Sequence, residues 1–254
     1  KVEATSDEHI ISLSAGAGGG SSVGIAVVPT IVILDENTSA TVGTNAYLEA
    51  GGNVTVAAVD TLHMFTFAGG LGVSASGSVG VGIGIDVGVL VRNTNATVGA
   101  GTDITATSGH IVIKADADDE INSLAASFGV AASGSGIAGS IAVQVVDTDT
   151  TASTTDSLGN GASLTAGGNV EVTADSDLNS LMVGGAIGIG GSGTGFGLAS
   201  TTLVHIDNVH ARVGAGTKVA PLAGAPAAAA PCAEVAPAGA PGVAAAILIL
   251  RAAG

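Results

Sequence analysis

Ala50-Gly51-Gly52-Asn53-Val54-Thr55-Val56 returns as Ser108-Gly109-His110-Ile111-Val112-Ile113, and again as Ala166-Gly167-Gly168-Asn169-Val170-Glu171-Val172. Gly52 to Gly109 is 57 residues and Gly109 to Gly168 is 59. Upstream of this motif, Ala40-Thr41-Val42-Gly43 returns as Ala96-Thr97-Val98-Gly99, and loosely as Ala211-Arg212-Val213-Gly214. A self-similar period of this size points to a stacked array in which each unit completes its neighbour's core. The units fall at about 6–60, 61–118, 119–177 and 178–220, the last one short.

Inside a unit the pattern is that of strands. Val54-Thr55-Val56 and Val170-Glu171-Val172 alternate apolar and polar residues, the two-residue period of a half-buried strand. Val79-Gly80-Val81-Gly82-Ile83-Gly84-Ile85 alternates branched side chains with none. Helix is disfavoured there, since each interior Gly costs about 1 kcal/mol relative to Ala. One face of this strand is Val and Ile. The other is bare backbone, which lets a second sheet approach closely. Asn37-Thr38, Asn93-Thr94-Asn95 and Asp147-Thr148-Asp149 read as turns, as do Gly51-Gly52-Asn53 and Gly167-Gly168-Asn169.

These signals predict an all-β, parallel β-solenoid (a β-helix) built from repeats of about 57 residues. With coils of roughly 20 to 30 residues, a unit holds two or three. Eight to eleven coils at about 4.8 Å make a rod on the order of 40–50 Å long. Its expected stabilising surface is an inner column of Val, Ile, Leu and Ala.

Composition narrows the function. The 254 residues include 41 Gly but only four Phe, one Tyr, two Met and no Trp. Such a chain makes a thin core. Six basic against 21 acidic residues give a formal charge of −15. Phosphate neutralisation needs clustered Lys and Arg, so nucleic acid is excluded as a partner, and anionic lipid is disfavoured for the same reason. The apolar stretch Val79–Val91 carries five Gly or Asp interruptions and does not read as a membrane helix, so no membrane insertion is expected. One cysteine, Cys232, rules out an internal disulfide framework. Residues 221–254 form a separate tail: five of the six prolines fall there among Ala and Gly, and Ala244–Arg251 is a short apolar end suited to packing on the last coil.

The Gly/Ala/Ser stretches followed by Ala-Thr-Val-Gly and then Ala-Gly-Gly-Asn-Val-Thr-Val resemble repeats of large bacterial adhesins, the filamentous-haemagglutinin-like and autotransporter-like surface proteins. The bearing segments are 15–56, 71–113, 129–172 and 184–214. The resemblance implies a right-handed parallel β-solenoid at the cell surface or in the medium, acting in attachment, biofilm or as a fibre. Its implied partners are like subunits or neighbouring repeats joined end to end, and a host or matrix surface. It implies no catalytic residues and no cofactor.

Candidate sites are few. Asp60, Asp116, Asp118, Asp119, Glu120, Asp175 and Asp177 recur at the unit junctions. On a strand, Asp116 and Asp118 share a side, as do Asp175 and Asp177, so these four are the candidate Ca²⁺ ligands. With two coils per unit, equivalent carboxylates lie about 10 Å apart, too far to share an ion. The competing reading is a solvated acidic corner. His9 and His63 match in their units but, on the same reckoning, are too distant to ligate one metal. His205 and His210, five apart, point to opposite sides. Thr38, Thr94 and Thr148 recur once per unit, too sparse for an ice-ordering ladder on two-coil units. The Gly strings lack the helix that a dinucleotide loop needs, and no Gly-x-Ser-x-Gly elbow lies in a strand-to-helix setting.

The leading expectation is therefore a non-enzymatic structural or adhesive module. The alternatives are a polysaccharide lyase or hydrolase on a β-helix, which 2% aromatic residues disfavours, and a Ca²⁺-dependent assembly module.

Overall fold

The computed structural model describes residues 1–222 and the backbone of 243–250. The described residues are all β: three parallel sheets of four strands each form a β-solenoid. Its first coil runs β1 (Val2–Gly20), β2 (Val23–Val42) and β3 (Tyr47–Ala50). The second is β4 (Val54–Ser74), β5 (Val79–Val98) and β6 (Asp103–Ala106). The third is β7 (Ile111–Ala131), β8 (Ser135–Thr154) and β9 (Ser163–Ala166). The fourth is β10 (Val170–Gly190), β11 (Gly195–Arg212) and β12 (Lys218–Pro221). Like strands stack: β1-β4-β7-β10, β2-β5-β8-β11 and β3-β6-β9-β12.

One repeat is thus one coil, which corrects the expected two or three. Val54 pairs with Ile111 and Ile111 with Val170, so a full unit separates register partners. The coils are long because the Asn37, Asn93 and Asp147 stretches, expected to turn, run straight through β2, β5 and β8. A strand of 20 residues spans about 66 Å, and four coils stack to only about 14 Å between the outermost strands. The body is a broad, shallow slab, not a rod of eight to eleven coils.

The Gly-Gly-Asn corner does turn, and the repeat of Asn is explained there. Asn53 Oδ1 accepts the His110 amide at 2.9 Å, and His110 Nδ1 accepts the Asn169 amide at 2.9 Å. Each corner side chain caps the coil that follows. At the next corner Asn45 and Gly101 take positive φ, 56° and 69°, a conformation open to Asn and Gly.

The interior changes character along the slab. Next to the short third sheet lies an aliphatic core in which Val56, Ile113, Val172, Val98, Ile104 and Leu164 are buried. At the opposite end the two long sheets meet over Gly70, Gly72, Gly80, Gly82 and Gly84. A Cβ on Gly82 would run into the carbonyl oxygen of Phe128, and one on Gly72 into that of Val81. Sheets normally pack about 10 Å apart, and here missing side chains let them close further. The slab is a wedge.

The inner column is accordingly aliphatic at the thick end only. In β5, Gly80, Gly82, Gly84, Asp86 and Gly88 face inward, while Val79, Val81, Ile83, Ile85 and Val87 face out. Both outer faces of the thin end are apolar: Ile141 and Ile137 on one, Phe128 and Leu71 on the other, each 38–45% exposed. The stretch Val79–Val91 is β strand, and no helix among the described residues is long and apolar enough to cross a membrane.

β13 (Val243–Leu250) runs antiparallel on β10, pairing Val170–Asp177. The apolar end of the tail therefore lies on the last coil's edge. Residues 223–242, with Cys232 and four of the prolines, lie outside the described residues. Pro29 and Pro221 sit in edge strands, where a missing N–H breaks no ladder.

Candidate functional site: a buried ion cluster and an outer histidine column

Between the aliphatic core and a smaller cluster of Leu62, Met64, Leu90, Ile121 and Val146 lies a layer of charge. Arg92 is fully buried on β5. Its guanidinium meets Asp60 at 2.5 Å across the same coil, Asp119 of the third coil, and Glu36 of the first at 3.3 Å; Glu8 of the first coil is at 4.0 Å. One side chain thus joins three coils. Thr94 donates to Asp60 at 3.2 Å, and Ser6 to Glu36 at 2.5 Å.

Four carboxylates face one cation, so protons are redistributed. Burial raises Glu8 above its ordinary range, and the neighbouring Glu36 adds to this. Burial likewise raises Asp60, with Arg92 offsetting part of the effect. Burial opposes ionisation of Glu36 too, yet hydrogen bonds with Glu8 and Ser6 and the charge of Arg92 hold it below the usual value. Of this neighbouring pair, Glu8 is therefore the acid that holds its proton more tightly and Glu36 the one that gives it up more readily.

A second buried acid, Asp86, is held without a cation among the described residues. Its Oδ2 accepts from Thr66, from Ser123 and from Gln144 Nε2, the last at 3.3 Å. Gly88 makes this contact feasible, since a Cβ there would strike the Gln144 amide. Hydrogen bonds from three donors offset part of the cost of burying this polar group.

Sequence reasoning placed Asp60 and Asp119 with the acidic junctions; both point inward. It did not single out Arg92. The signal was parity: Arg92 shares its strand face with Gly80, Gly82, Leu90, Ala96 and Val98, and that face is the inner one.

The other acids lie on the outer face. Asp116 pairs with Asp175 and Asp118 with Asp177 on adjacent coils, not 10 Å apart as expected. Lys114 Nζ bonds Asp116 at 2.7 Å. Burial, then the charge of Asp116, raises Asp175. These four do not bring three carboxylate oxygens within 4.8 Å of one another. They sit mid-strand, not at a corner.

Coil-to-coil stacking also corrects the histidine reading. His9 and His63 are register partners, their rings stacked at 4.8 Å between centroids. Glu120 follows on the third coil, 3.1 Å from His63 Nδ1, and Asp7 lies 3.2 Å from His9 Nε2. His205 and His210 do point to opposite faces of β11. Thr38, Thr94 and Thr150 form the threonine ladder on the first three coils, Val209 following on the fourth, with Thr148 instead beside Arg92. That ladder is buried and offers no surface to ice.

Beside Phe67, Gly69, Leu71 and Phe128 is an open apolar groove of about 410 Å³ with no ionisable side chain in its lining. Comparison with protein-family models, curated proteins and solved structures finds no match.

Proposed function

We propose that this chain is a non-enzymatic structural module, a stretch of β-solenoid in a larger extracellular or cell-surface fibre that serves adhesion. One observation carries the reading. Three sheets keep the same register through four coils, and the end coils leave strand edges unpaired among the described residues. The first coil's three strands each have one free side, as do β11, β12 and the part of β10 past Asp177. Such edges template further strands, from neighbouring repeats or like subunits.

Two features support the same reading. The apolar outer faces of the thin end suit lateral contacts with a matrix, a host surface or another slab. The acidic charge limits unspecific association. An extracellular setting accords with a nearly cysteine-free, Gly-rich, acidic chain.

The test is electron microscopy of the purified chain with light scattering over a range of concentrations. Stacked or laterally joined assemblies that grow with concentration are expected. A monomer at every concentration, or cleavage of acidic or neutral polysaccharides by the same preparation, would overturn the proposal.

A further inference from the structure

We propose that the outer face of the first long sheet carries a binding site for a divalent transition cation of the Zn²⁺ type, built by Asp7 and His9 of the first coil and His63 of the second. One ligand atom from each of these three lies within 4.8 Å of the others. Tetrahedral Zn²⁺ takes nitrogen and oxygen ligands at about 2.0–2.2 Å, and Asp7, His9 and His63 all reach the surface, where their side chains have room to turn toward an ion. Imidazole with carboxylate is a donor set that favours Zn²⁺, Ni²⁺ or Cu²⁺ over Ca²⁺, which wants six to eight oxygens.

Adjacent stacking is what assembles the site. Parallel in-register strands place the same side chain of successive coils about 4.8 Å apart, so a histidine repeated once per unit becomes a pair. Asp7, two residues before His9, projects from the same face. Glu120 completes the arrangement from the third coil. Its carboxylate accepts from His63 Nδ1, which leaves Nε2 as the ring's lone-pair donor. Ligating histidines are commonly oriented by a carboxylate in this way. A depression of about 200 Å³ lies at the column, with Ile11 and Phe65 on its apolar side. Three protein ligands leave a fourth position open to water or to a group from another molecule. The cation ties the first coil to the second, where the edge strand β1 otherwise pairs on one side only among the described residues.

The test uses the full chain made without a polyhistidine tag, stripped with EDTA and titrated calorimetrically with ZnCl₂. Saturable one-to-one binding is expected, lost in His9→Ala and in His63→Ala while circular dichroism stays unchanged. The exposed His210→Ala should bind as the parent does. Glu120→Gln should weaken binding about tenfold, the usual cost of losing an orienting partner. Absence of saturable binding to the parent chain overturns the proposal, as does parent-like binding by the folded His9→Ala/His63→Ala double variant. CaCl₂ titrated in place of ZnCl₂ should give no heat that depends on His9 or His63; equal dependence would also overturn it. None of these outcomes turns on whether the chain assembles.

Discussion

Arg92 and Asp60 face each other across one coil at 2.5 Å, and neither side chain is exposed to solvent. The pair reaches Asp119 on one side and Glu36 on the other, so a single guanidinium holds three coils in register. Removing one partner from a buried ion pair costs about 3–5 kcal/mol, because the remaining charge is left without compensation. Arg92→Met is therefore expected to destabilise the chain by that order, read as a shift of the urea midpoint. Arg212→Met, at an exposed pair with Asp156, should leave the midpoint nearly unchanged.

The same cluster sets a pH dependence. Glu8, Asp60, Asp175 and Asp207 all have folded values raised above the ordinary 4.5 for Glu and 3.8 for Asp, chiefly by burial. A raised acid binds its proton more tightly when folded. Its contribution is complete below the ordinary value and is lost as pH rises through the folded one. Glu36, held low, has the opposite sign, losing its contribution as pH falls through its folded value. With four buried or half-buried groups raised against it, melting temperature should rise from pH 7.5 to pH 5. Glu8→Gln, which mimics the protonated acid, should raise the melting temperature at pH 7.5 and flatten the profile. A melting temperature that falls steadily over that range would contradict the assignment.

The wedge predicts an inverted tolerance in β5. Gly82 faces the opposite backbone and Val81 faces out. Gly82→Val should force the sheets apart, costing about 1–3 kcal/mol or more as overpacking does. Val81→Thr should change stability by less than about 0.5 kcal/mol, as surface substitutions do. Thermal melts of the two variants decide it.

The outward aliphatic residues have their own consequence. Val81→Thr, Ile83→Thr and Ile137→Thr together remove branched carbons from one broad face without touching the core. Lateral association, followed by sedimentation velocity, is expected to weaken, with the monomer's melting temperature retained.

Much of the fold was legible in the sequence. Repeated Gly-Gly-Asn corners gave the unit length, and alternation gave the strands. Coil length was not legible, because Asn93-Thr94-Asn95 looks like a turn when read locally. In the structure it is a stretch of β5 whose Thr94 side chain is buried against Asp60. From that one misreading came three others: the rod shape, the separation of His9 from His63, and the 10 Å gap between Asp116 and Asp175. Side-chain direction failed for a different reason. Hydrophobicity puts Val and Ile inside, but a sheet pair this close has room only for Gly, so Val81 and Ile83 are turned out. Arg92, on the Gly face, was hidden by the same inversion.

One coil per repeat is the claim on which the stacking, the histidine pair and the ion cluster all rest. Disulfide trapping in a Cys232→Ser background tests it most directly. Thr61 and Asp118 are outer-face register partners on neighbouring coils, within the roughly 4.4–6.8 Å Cα separation that a disulfide spans. Thr61→Cys with Asp118→Cys should form an intramolecular bridge under mild oxidation, whereas Thr61→Cys with Val89→Cys, half a unit apart and on opposite outer faces, should not. Bridging by the second pair and not the first would show two coils in each repeat.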